Sequence, residues 1–103
     1  MVKPALIDAS FEIGSQDRQL VHVYKDDRNN KIRVRIRRDS YPKQSWALAE
    51  VLTPGLTWTG LVSEPVDTWH DRTNLPANQS RLLLPMLEEI ADSLAQRAVT
   101  VLS

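Results

Sequence analysis

The sequence predicts an α+β domain, a four-stranded antiparallel meander with one long C-terminal amphipathic helix packed on one face. Two patterns predict it: aliphatic residues alternate with arginines from Lys31 to Arg38, the period of a strand, and an apolar stripe recurs at helical spacing from Leu83 to Leu102. The size agrees, since 103 residues with 42% hydrophobic and 25% charged side chains make one domain over 1–103. Such a chain buries roughly two-thirds of the surface its unfolded form exposes.

The sheet is expected over about 19–63. Gln19 to Lys25 is rich in β-formers and is followed by Asp26-Asp27-Arg28-Asn29-Asn30, whose polar residues tolerate the left-handed backbone of a hairpin loop. In Lys31 to Arg38, Ile32, Val34 and Ile36 take one face and Arg33, Arg35 and Arg37 the other. A third strand, Ser45 to Leu52, follows a polar connection. A fourth, Leu56 to Ser63, follows Thr53-Pro54-Gly55, where proline presets a negative φ and glycine accepts a positive one. Pro4 to Ile13 reads as either a further strand or a short helix.

Residues 64–80 form an irregular connection interrupted by Pro65, Asn74, Pro76 and Asn78. The helix is expected over about 82–102. At 100° per residue, Leu83, Leu84, Leu87, Ile90, Ala91, Leu94, Ala95, Ala98, Val101 and Leu102 fall within an arc of about 140°. Pro85 is expected in its first turn, where a missing N–H costs least, with Ser80 as cap only if the helix bends.

Composition narrows the function classes. With no cysteine there is no disulfide framework, thiolate metal site or cysteine nucleophile. The start lacks a secretory apolar run and no stretch approaches a membrane span, so a cytoplasmic location without membrane association is expected, and Asn78-Gln79-Ser80 reads as a helix-entry loop rather than a glycan acceptor. Thirteen basic and thirteen acidic residues cancel, but unevenly: residues 25–43 carry a net plus five and residues 64–103 a net minus three. Such a division steers a partner or a second copy.

Catalytic constellations are thin. His22 lies in an apolar strand and reads as a hydrogen-bonded structural residue; Trp69-His70-Asp71 places neighbours in sequence, which do not orient one another as a base and its partner must. The two histidines with Asp67 and Asp71 lack metal-ligand spacing. The serines lack a nucleophile elbow, and Gly14, Gly55 and Gly60 cannot build a phosphate loop. No enzyme, cofactor or metal is expected.

The remaining candidate is a surface. If Arg38 pairs with Ser45, the aliphatic face sets Ile32, Val34 and Ile36 beside Val51, Ala49 and Ala47, a seat for the helix. The other face sets Arg33, Arg35 and Arg37 beside Glu50, Leu48 and Trp46, with Trp58 and Val62 joining if Leu52 pairs with Leu56. Arginine stems lie naturally over indole rings, and Arg33 can meet Glu50. Arg33, Arg35, Arg37, Trp46, Leu48 and Trp58 are therefore the expected interaction surface of a non-catalytic binding or assembly module. Its partner is a protein or a second copy, the latter a homodimer through this face. The competing arrangement folds the N-terminal segment and residues 64–80 over the rings as a second small core. The alternative function is an accessory nucleic-acid-binding domain, with the basic strand following phosphates and Trp46, Trp58 or Tyr41 stacking bases. Glu88, Glu89 and Asp92 read as a solvated helix face, or as a dock for the arginines of a second subunit.

Overall fold

The computed structural model describes residues 3–70, 73 and 80–103. Five strands, β1 (Ala5–Ile13), β2 (Asp17–Lys25), β3 (Lys31–Asp39), β4 (Trp46–Leu52) and β5 (Trp58–Glu64), form one antiparallel sheet in the order β1-β2-β3-β4-β5. A short helix α1 (Val66–Trp69) follows, then the long helix α2 (Ser80–Leu102). The antiparallel sheet with a C-terminal helix is as expected, but the meander has five strands rather than four, because residues 5–13 form an edge strand paired with β2. The helix-entry loop expected at 78–80, Asp71 and the capping role of the Ser80 side chain lie outside the described residues.

Alternation does what period two requires. Leu20, Tyr24, Ile32, Val34, Ile36, Ala47 and Ala49 are buried on one face together with Leu83, Leu87, Ile90, Ala91, Leu94, Ala95 and Ala98 of α2, forming one core. At about 1.5–3 kcal/mol for each large aliphatic removed from water, this layer is the main source of stability. The alanines leave room for α2 to approach, chiefly under β3, β4 and β5. Val101, placed in the apolar stripe by its spacing, is exposed in the last turn. Pro85 sits inside α2, not in its first turn, because the helix begins at Ser80.

The β3–β4 register follows the expected one: Ile32 faces Val51, Arg33 Glu50, Val34 Ala49, Arg35 Leu48, Ile36 Ala47 and Arg37 Trp46. The β4–β5 register does not. Leu52 pairs with Trp58 rather than Leu56, and a bulge lies between the Ala49–Val62 and Glu50–Gly60 pairs. The extra residue turns Val62 to the helix side, against the core, while Trp58 stays on the arginine face.

The turns are closed by local chemistry. Asp26 is buried and accepts from the main-chain N–H groups of Arg28 and Asn30 and from the Asn30 side chain, clamping the β2–β3 loop while Asn29 takes the left-handed region at φ 66°. In the β4–β5 connection no glycine has positive φ; Leu56 carries it instead, at 63°. The Leu56 N–H donates to the Thr53 carbonyl and the Thr53 N–H to that of Thr57, the pattern of a type I turn followed by one left-handed residue. That position falls after Gly55, so an exposed leucine holds a conformation better suited to glycine.

Candidate functional site

Opposite the helix, the sheet presents an ordered cluster of charges and rings. Arg33 and Arg35 stand two apart on β3 and flank Glu50, the β4 residue opposite Arg33. Both Nε groups donate to Glu50 Oε1, at 3.0 and 2.9 Å, and Arg35 Nη2 donates to Oε2 at 3.2 Å. The Arg35 contact is bidentate, the geometry that fixes a guanidinium most firmly. Burial alone raises the Glu50 carboxyl, but the hydrogen bonds from Arg33 and Arg35 hold it below the ordinary carboxylate range.

Each guanidinium also covers an indole. Arg33 lies 4.4 Å from the Trp58 ring centroid and Arg35 5.4 Å from that of Trp46. Contacts of this kind contribute about 0.5–2 kcal/mol depending on solvation. Arg37 is held differently: its Nε is 3.2 Å from Asp17 Oδ2 and its Nη2 3.4 Å from Asp39 Oδ2. Asp17 and Asp39 are direct cross-strand neighbours, so Arg37 bridges two carboxylates that otherwise repel. Leu48, opposite Arg35, completes the patch.

All six residues picked from the sequence therefore stand on one sheet face. The anions lie underneath, with Glu50 9% and Asp39 2% exposed, while Arg35 and Arg37 keep 37% and 35% of their side chains in solvent. Among the described residues neither N-terminal segment nor connection covers this face. The first is the edge strand β1, and the second sends Trp69 into the core on the helix side. The counter-ions lay outside the expected strands: Asp39 follows the strand end expected at Arg38, though in β3 it is the next residue on Arg37's face, and only the β2–β3 register brings Asp17 near.

The two histidines serve the interior. The Tyr24 hydroxyl donates to Asp92 Oδ1 at 2.8 Å, so its lone pair must accept from His22 Nδ1 at 3.1 Å, which fixes the Nδ1–H tautomer. Asp92 also meets Lys3, at 3.5 Å, so this relay ties α2 to the sheet. His70 Nε2 donates to the Asp39 carbonyl at 3.0 Å, and Arg38 Nε donates to the Thr73 hydroxyl at 3.0 Å. Among the described residues no three His, Asp or Glu side chains gather to hold a metal. A depression of about 320 Å³ beside α2 is lined by Glu64, Thr73, Met86, Glu89, Ile90, Ser93 and Leu94, without either histidine. Tyr41 is exposed beside the 3₁₀ turn Pro42–Gln44.

These environments set an acid response. Desolvation lowers His22 below its ordinary 6.5, outweighing the opposing pull of Glu88 and Asp92. The unfolded chain therefore takes up a proton that the folded chain resists, and stability falls as pH drops below 6.5 until the folded His22 also titrates. Glu50 and Asp26 are both depressed from 4.5 and 3.8, so the stability they confer is present above those values and is lost as pH falls through their lower folded ones. The unfolding free energy from urea titration, and the midpoint with it, is expected to decline in two stages on acidification, the first no steeper in free energy than about 1.4 kcal/mol per pH unit, the limit for one proton. His22→Gln should abolish the first stage and keep the second. A wild-type midpoint flat between pH 7 and 5 would contradict the burial of a neutral His22.

No family model, curated protein or solved structure matches this chain.

Proposed function

We propose that the chain is a non-catalytic binding module whose open sheet face, built from Arg33, Arg35, Arg37, Trp46, Leu48 and Trp58, engages a protein partner. The observation that carries this reading is the layering of charge. Glu50, Asp17 and Asp39 hold the guanidiniums from beneath, so the face offers fixed cationic edges interleaved with indole and leucine. Side chains already ordered lose little entropy on association, and arginine with tryptophan supplies most of the affinity in typical hot spots. The complementary surface is one that brings uncharged hydrogen-bond acceptors to the outer edges of Arg35 and Arg37 and an apolar side chain to the Trp46–Leu48 shelf.

The same layering weighs against a polyanion track. Binding a phosphate backbone gains its strength from the counterions released as lysine and arginine neutralise phosphates, whereas Arg33, Arg35 and Arg37 are already paired with Glu50, Asp17 and Asp39. The test is a partner captured from the native cell, purified, and titrated against wild type and an Arg35→Gln/Trp46→Ala variant. Glutamine retains a donor toward Glu50, so the fold survives. We expect affinity to fall about 30-fold or more, the effect of losing a contact worth about 2 kcal/mol. Equal affinity in the variant would refute the assignment of the face. Salt-sensitive binding of mixed oligonucleotides that the same variant abolishes would replace it with the nucleic-acid reading.

A further inference from the structure

The sheet's first edge is a second surface, distinct from the arginine face. In β1, eight of nine residues are exposed, and Leu6, Ile7 and Ile13 are 48%, 51% and 61% exposed. The Gly14 N–H donates to the Asp17 carbonyl, and with the Ile13–Arg18 register this fixes which way the β1 main chain points. Asp8, Ser10 and Glu12 turn their N–H and C=O groups to β2, so those of Ala9, Phe11 and Ile13 point outward. The only irregularity is the bulge between Leu6 and Asp8. From Asp8 to Ile13 the edge is regular and carries neither the lysine nor the proline that blocks strand addition.

We propose that two copies of the chain pair antiparallel through β1, joining their sheets into one ten-stranded sheet. Residue chemistry selects the register. Outward-facing positions must meet outward-facing positions, which allows two-fold axes at Ala9, Ser10, Phe11 or Glu12, the last setting Glu12 against its own copy. An axis at Ser10 sets Asp8 against the partner's Glu12 twice, a like-charge clash. An axis at Ala9 draws the bulged residue Ile7 into the ladder. An axis at Phe11 uses only the regular segment. It pairs Phe11 with the partner's Phe11 and Ala9 with the partner's Ile13 on the helix side, and sets Glu12 against the partner's Ser10 on the open side. About six main-chain hydrogen bonds form. Because α2 packs chiefly under β3 to β5, it does not block the approach of a second strand to the β1 edge. The two arginine faces then lie on the same side, their β3 strands about 24 Å apart, so a partner recognised by that face meets two copies.

Sedimentation equilibrium with wild type, Ala9→Pro and Ser10→Glu tests this. Ala9→Pro removes an outward N–H that β2 does not use, and Ser10→Glu places a second carboxylate against the partner's Glu12 while pointing to solvent in a single copy. Wild type is expected at twice the 11.7 kDa chain mass, and both variants at that mass with unchanged circular dichroism. Ser10→Lys, facing the partner's Glu12, should tighten the dimer. Wild type at 11.7 kDa up to its solubility limit would overturn the proposal. So would a dimer that Ser10→Glu leaves intact but Arg35→Gln/Trp46→Ala dissociates, which would transfer self-association to the arginine face.

Discussion

Replacing Trp69 by alanine is expected to cost about 3–5 kcal/mol and to lower Tm by more than about 10 °C. Trp69 is 0% exposed, the largest fully buried side chain, and belongs to the same cluster as Leu87, Leu94 and Ile36. Removing the indole leaves a void that the surrounding layer, held by β3 and α2, cannot collapse to fill. Trp46→Ala and Trp58→Ala make the internal comparison. Their rings lie at the surface under arginine guanidiniums, so each variant loses one cation–π contact and some partial burial, about 1–2 kcal/mol. Urea unfolding of the three variants side by side checks the ranking. If Trp69→Ala unfolds with the other two, the connection after β5 is not part of the core.

That ranking was not readable from the chain. Nothing in Val66-Asp67-Thr68-Trp69 has a period, because a four-residue helix completes barely one turn, so a buried tryptophan there looks like one in a loop. The β3–β4 face was legible for the opposite reason. Ile32, Val34 and Ile36 alternate with arginines, and Ala47, Ala49 and Val51 alternate against them, so a one-residue slip would bury charge, and Arg38 opposite Ser45 is a register that keeps both faces. Once that register is set, Arg33, Arg35, Glu50 and Trp46 are neighbours by geometry. β1 was one of two readings of its segment: Ile7, Ala9, Phe11 and Ile13 alternate with Asp8, Ser10 and Glu12, but the bulge at Ile7 ends that phase before Leu6, and so exposed an edge strand gives the pattern no buried face to match. In β5 the longer turn moved the register by two residues, which keeps the faces, and the bulge at Leu61 moved it by one more, which put Val62 on the opposite face. Pairing partners could be derived where both faces were chemically distinct, and not where one extra residue reset the phase.

The division of β3 into two faces makes its sharpest prediction at a single position. Val34 is 0% exposed at the centre of the layer, opposite Ala49 on one side and His22 on the other. Val34→Asp, made together with His22→Gln so that no imidazole faces the new group, places a carboxylate there with no cation opposite it, and the penalty of several kcal/mol is comparable with the whole stability of a domain this size. At neutral pH the variant is expected to be largely unfolded by circular dichroism, whereas Arg35→Gln one residue away should fold, since its side chain leaves only a half-solvated pair with Glu50. The pH dependence separates this mechanism from simple loss of packing. A carboxyl buried among aliphatics has its folded pKa raised, so the folded state takes up a proton more readily than the unfolded chain, and acidification from pH 7 toward 5 should recover structure. Wild type moves the other way over that interval as His22 resists protonation. Opposite slopes in the two proteins would place Val34 in the core and the arginines of the same strand outside it; parallel slopes would mean that residue 34 reaches water and that the helix does not sit on this face.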